Sequence, residues 1–128
     1  MVRKVLIDTN IVIDHLRQTS SGKSLFEKIC ENTDIEPIIS TTVIQELFAG
    51  QSSKRTDQET KIRRVLQKLM IVPIEPKIAE AAGQIMRDIK PQIQFADAQI
   101  AAATLLNGAG LLTLNKKDFQ GIPDLEFI

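Results

Sequence analysis

The chain has 128 residues, 43% of them hydrophobic and 25% charged, and its formal net charge is zero; that length suits one compact domain, residues 1–128, which can bury a core without disulfides or structural zinc. Its one cysteine, Cys30, and one histidine, His15, exclude an intrachain disulfide and a zinc site of the usual nitrogen–sulfur type, so any metal held here must rest mainly on oxygen. No stretch approaches the roughly 20 apolar residues that span a bilayer, and the neutral balance says nothing about nucleic acid, since an acidic site would cancel basic patches in the total.

Met1-Val2-Arg3-Lys4 leads into a short strand, Lys4 to Ile7, and not into a signal-peptide core, so a cytoplasmic protein with no membrane association is expected. Ile11-Val12-Ile13 follows a turn, and Leu25, Phe26, Ile29 and Cys30 fall at helical spacing. Ile35 to Ile39, interrupted by Pro37, reads as a second strand leading into a short helix with Val43, Ile44, Leu47 and Phe48, which Gly50 stops. Ile62, Val65, Leu66 and Leu69 form the i, i+3, i+4, i+7 stripe of an amphipathic helix. Ile71 to Ile74 predicts a short strand that Pro73 confines to an edge or terminal position. Pro76 suits the first turn of a helix whose face is Ile78, Ala81, Ala82, Ile85 and Ile89, with Pro91 limiting its continuation. Asp97 to Leu106 is apolar on nearly every side, the mark of a buried helix. Leu111 to Leu114 predicts another buried strand, and Leu125 to Ile128 an outer one. Such alternation argues for an α/β fold with a mostly parallel sheet covered on both faces, and in these folds sites form outside the strands' C-terminal ends.

Acidic residues fall at those ends. Asp8 directly follows the first strand, where it can face a crevice or cap a helix that starts near Ile11. Glu46 lies beyond the edge of its helix's apolar stripe, able to reach a crevice or simply meet water. Asp97 opens the most apolar helix, favourable to the helix dipole, but flanking alanines imply close packing and partial loss of solvation. Asp118 follows the Leu111 to Leu114 strand, with Asn115 three residues before it in a spacing that resembles a capping box. Converging on one rim, four carboxylates cannot all stay ionised without compensation, and hard divalent cations such as Mg²⁺ or Mn²⁺ suit an all-oxygen ligand set.

Four pieces, in order and across essentially the whole chain, resemble the PIN domain and, within it, the VapC toxins of prokaryotic toxin–antitoxin pairs. They are Leu6-Ile7-Asp8-Thr9-Asn10, Ser40 through Glu46-Leu47, Ala96-Asp97-Ala98-Gln99-Ile100-Ala101-Ala102, and Leu112-Thr113-Leu114-Asn115-Lys116-Lys117-Asp118-Phe119. The resemblance implies a three-layer PIN-like fold, with a short, mostly parallel sheet of four or five strands between helices. By the same resemblance Asp8, Glu46, Asp97 and Asp118 form the catalytic, metal-binding quartet, and Thr9, Asn10, Thr113 and Asn115 are the polar positions that support it. The family position near Asn115 is sometimes acidic. A Mg²⁺- or Mn²⁺-dependent endoribonuclease is implied, acting on RNA, homodimeric, and silenced by a small antitoxin.

On that expectation Asp8 and Asp97 are first choices as direct or water-mediated ligands, with Glu46 and Asp118 orienting the attacking water or completing the site; one or two ions are compatible with the sequence. His15, about two helical turns beyond Asp8, is a poor general base and suits a surface or dimer contact. Lys116 and Lys117 lie near the site and suit substrate phosphate. Lys54, Arg55, Lys61, Arg63, Arg64 and Lys68 form a basic cluster, with Lys61, Arg64 and Lys68 on one face and Asp57 able to pair with Lys61; it reads as a solvated face or an RNA backbone track. Two other classes start from the same Asp8. A haloacid-dehalogenase-like phosphatase needs a second Asp where Asn10 stands, and a phosphoacceptor receiver domain needs an acidic pair at the end of the first strand. A non-catalytic RNA- or partner-binding module on the same scaffold is the remaining alternative.

Overall fold

A computed structural model describes residues 1–19, 21–50 and 55–128. Among these residues the chain order is β1 (Arg3–Ile7), α1 (Thr9–Arg17), α2 (Leu25–Glu31), β2 (Ile35–Ser40), α3 (Thr41–Ala49), α4 (Thr56–Gln67), β3 (Met70–Val72), α5 (Pro76–Asp88), α6 (Phe95–Leu106) and β4 (Gly110–Leu112), followed by a 3₁₀ turn over Lys116–Phe119. The strands form one all-parallel sheet in the order β3-β2-β1-β4. Val5, Leu6 and Ile7 are successive residues that point to opposite faces, and all are fully buried. Both faces of the sheet are therefore covered.

The first three helices start where side-chain oxygens replace missing backbone partners. Ser24 caps α2 through the amide of Glu27, and Ser40 caps α3 through the amide of Val43. Pro76 occupies the first turn of α5. Alanines let α6 bury nearly every side: Ala98, Ile100, Ala101, Ala102 and Ala103 are all fully enclosed. Gly108, at φ +61°, ends that helix in the left-handed conformation that glycine tolerates best. Pro73 immediately follows β3, which is the edge strand that its lack of an N–H requires.

Three expected elements are shorter in the structure, and the strand predicted over Ile71 to Ile74 ends at Val72, ahead of Pro73. The strand predicted to reach Leu114 stops at Leu112, because the Leu114 amide donates to the Asn10 side chain and not to a neighbouring strand. The closing segment pairs with β4 through a single parallel bridge between Leu111 and Phe127, so the sheet itself has four strands. No helix among the described residues is long and apolar enough to cross a membrane.

Strand order decides where a site can form. From β1 the chain moves outward through β2 and β3, then returns to place β4 on the other side of β1. The crevice at such a reversal opens between the C-terminal ends of β1 and β4. Asp8 and Thr113 stand at those two ends.

Candidate active site

Asp8 is 5% exposed, and every hydrogen bond it accepts comes from residues the fold brings to the crevice. Its Oδ1 accepts from the Thr9 amide at 2.8 Å, the ordinary helix-capping bond for α1. Its Oδ2 accepts from Thr113 Oγ1 at 2.7 Å and Asn10 Nδ2 at 3.2 Å. Burial raises the Asp8 pKa, Thr113, the Thr9 amide and Asn10 oppose that rise, and the Asp118 charge adds to it. Capping and site-building are therefore the same act at this residue.

Thr9 fixes a second carboxylate by donating from Oγ1 to Glu46 Oε1 at 2.6 Å, which ties α1 to α3. Thr42 likewise donates to Gln99 Oε1 at 2.8 Å, holding α3 against the first turns of α6. Asp97 lies in the first turn of α6, half-buried, and its pKa is pushed up to about 6. Loss of solvation is the largest cause, followed by the negative charges of Asp8, Asp118 and Glu46. Asp97 therefore feels the charges of three acids from other segments of the chain.

The supporting residues divide. Asn10 bridges the rim, donating to Asp8 and to Thr113 Oγ1 at 3.2 Å and accepting from the Leu114 amide at 3.1 Å. Asn115 does not cap the turn that carries Asp118, since no side-chain cap bond forms there. Instead its own amide donates to Thr113 Oγ1 at 3.0 Å, so the threonine organises this corner. Lys116 is turned toward the Phe127 ring, its ammonium 5.7 Å from the centroid. Lys117 is the lysine that shares a pocket with Asp97 and Asp118.

His15 is not a free surface group. Its Nδ1 lies 2.7 Å from Ser24 Oγ and its ring 4.9 Å from that of Phe26, an arrangement that joins α1 to α2. Lys61, Arg64 and Lys68 do share a face, lining a cleft of about 300 Å³ with His15 and Leu16. Asp57 pairs with Arg55 and not with Lys61, while Arg63 pairs with Glu59 one turn away. Lys54 lies outside the described residues.

The donors at the rim are all oxygen, which suits a hard divalent cation. Among the described residues no three His, Cys, Asp or Glu side chains have the spacing to hold an ion by themselves. Mg²⁺ does not demand that, since it commonly takes only one or two carboxylates and keeps several waters. A half-buried acid held near pKa 6 by loss of solvation and by like charges is a site that gains from a cation.

The family model described as the PIN domain matches residues 5–125. Ribonuclease VapC19 of Mycobacterium tuberculosis is 30% identical over 124 residues, covering 94% of this chain and 96% of that protein. Ribonuclease VapC2 of Rickettsia felis is 28% identical over 126 residues, covering 94% and 92%. Among solved structures, VapBC2 from Rickettsia felis bound to a promoter DNA fragment matches with a TM-score of 0.81 at 24% identity, covering 98% of this chain and 97% of that chain, a likeness of fold. A toxin–antitoxin complex from Klebsiella pneumoniae matches with a TM-score of 0.72 at 31% identity, covering 94% of each chain.

Proposed function

The chain belongs to the PIN-domain family, and from that premise we propose that it is an endoribonuclease using Mg²⁺ or Mn²⁺, the toxin of a VapBC-type toxin–antitoxin pair. The observation that carries this reading is Asp97, raised to about 6 by burial and by three like-charged neighbours from other segments. A structural cap would not need that company. The partner is a small antitoxin, the assembly a cytoplasmic homodimer, and a single domain carries the whole activity.

What a hard cation supplies when bound is Lewis acidity toward phosphoryl and water oxygens. Asp8, immobilised by its three donors, and Asp97 would hold it. Glu46 presents the oxygen that Thr9 leaves free and accepts a proton from the attacking water. Asp118 completes the acidic rim, and Lys117 offsets charge on the phosphate. Attack by water, and not by the 2′-hydroxyl, breaks the P–O3′ bond, and the departing 3′-oxygen takes a proton from solvent, leaving 5′-phosphate and 3′-hydroxyl ends.

Purified protein incubated with single-stranded RNA is expected to cut it in Mg²⁺, to stop in EDTA, and to recover when Mg²⁺ or Mn²⁺ is restored. Asp8→Asn should lose more than about 99% of that activity, beyond the 10- to 100-fold typical of residues that only support a metal site. Undiminished cutting in EDTA would remove the metal from the proposal. RNA bound tightly but left intact would favour a binding module.

Thr9→Val tests the positioning of Glu46. The methyl fills the hydroxyl's space without its bond, so kcat should fall roughly 10- to 100-fold with KM little changed. Thr9→Ser, which restores the donor, should recover most of the loss. A Thr9→Val protein with normal kcat would show that Glu46 needs no such aim.

A further inference from the structure

Beside the acidic rim lies a pocket of about 220 Å³ to which Asp97 and Asp118 both contribute. Resting on the ribonuclease reading, we propose that this pocket seats the nucleobase next to the cleaved phosphodiester and reads it through the side-chain amides of Gln92, Gln94 and Gln120. The volume has room for one planar heterocycle. A base must therefore be splayed out of any stack to enter, which is how single-stranded RNA is usually recognised.

The amides are uncommitted while their backbone is held in place. Among the described residues none of the three makes a side-chain hydrogen bond within the chain, and all three are exposed. Between Gln92 and Gln94 stands Ile93, 6% exposed and part of the core, so the two flanking side chains are turned outward together. The Gln94 carbonyl accepts the Ala98 amide at 2.9 Å, fixing that residue to the start of α6. Gln120 follows Phe119, which is 2% exposed, and precedes the buried Ile122. Because the backbone is already fixed, binding has to order only the glutamine side chains and not the segments that carry them.

Their chemistry suits a base edge. Each glutamine amide carries a donor and an acceptor side by side, matching the adjacent donor and acceptor that a base presents. Lys117, at the same pocket, offers only donors and is suited to phosphate. Because Asp97 and Asp118 place the reacting phosphate at this pocket, the base being read sits at the cleavage point and not remote from it. The site would therefore impose a base preference beside the cut, independent of contacts elsewhere along the RNA.

The test maps cleavage sites on a randomised single-stranded RNA pool and compares the protein with the variant Gln92→Ala, Gln94→Ala, Gln120→Ala. The parent should prefer particular bases at one position flanking the cut, and the variant should flatten that ratio roughly five- to hundredfold, the range for a good base-edge contact. Gln94→Glu, equal in size but with its donor replaced by an acceptor, should change which base is preferred. An unchanged preference in the triple variant overturns the proposal. If the parent cuts no RNA, the nuclease reading fails and binding decides the pocket: anisotropy on short RNAs differing at one base should show a preference that the triple variant loses. Equal affinity for all of them in the parent then overturns it as well.

Discussion

Asp97→Asn is expected to cut RNA more than about a hundredfold more slowly, yet to melt at a higher temperature than the parent in metal-free buffer near pH 7.5. Loss of activity follows from removing one of the two acids proposed to hold the cation. Gain of stability follows from the raised pKa. The folded protein holds a proton on Asp97 up to about pH 6, whereas the unfolded chain releases it around 3.8. Between those values the folded state binds more protons, so the parent loses stability as pH rises through that window and recovers none above it. Two pKa units correspond to at most about 3 kcal/mol; because the side chain is only half-buried, screening reduces this to about 1 kcal/mol, or roughly 4 °C for a domain of this size.

Melting curves from pH 4 to 8 in EDTA check the sign. The gap between variant and parent should be widest above pH 7 and close near pH 4. Adding Mg²⁺ should stabilise the parent far more than the variant, because only the parent retains the charge that favours binding. A variant less stable than the parent at pH 7.5 in EDTA, or a parent indifferent to Mg²⁺, would contradict the repulsion described at the rim.

Thr113→Val should be the most damaging single change among the supporting residues, lowering stability by about 2–3 kcal/mol, the range for losing a buried bond to a charged group. The hydroxyl donates to Asp8 and accepts from Asn10 and the Asn115 amide, and valine keeps its shape while removing all three bonds. Asp8, already raised by burial, would lose the first of the bonds that oppose that rise. Its carboxylate would then be protonated at a higher pH, so cleavage should fall off sooner on the acid side. The stability penalty should shrink in acid, where Asp8 is neutral in parent and variant alike. Urea titrations should show a lower midpoint with an unchanged slope, and Thr113→Ser should restore most of both properties. A Thr113→Val protein as stable as the parent would mean that Asp8 does not depend on this bond.

The glutamines around the pocket were the residues least legible in the sequence. Gln92, Gln94 and Gln120 are ordinary surface residues by composition, and no periodicity marks them. Only the meeting of the loop before α6 with the turn after β4 puts them around one pocket beside Asp97 and Asp118. Lys116 and Lys117 are equally near the acidic residues along the chain, and the 3₁₀ turn separates them, sending one to Phe127 and the other to the pocket. Asn115 looked like a cap by spacing, but Thr113 had already taken its amide.

What the amino-acid order determined by itself was the set of elements and the acids at their ends. Burial periodicity is local: Val5 to Ile7, the stripe from Ile62 to Leu69 and the alanines of α6 announce themselves because a helix or strand repeats every few residues. Asp8 and Asp97 were visible for the same reason, each standing where an apolar run begins or ends. The order β3-β2-β1-β4, the reach of Thr9 to Glu46 and the hold of Thr113 on Asp8 were decided only in three dimensions. Those contacts join residues 37 and 105 positions apart, and hydrogen bonds act over about 3 Å, so no pattern of neighbours along the chain carries them.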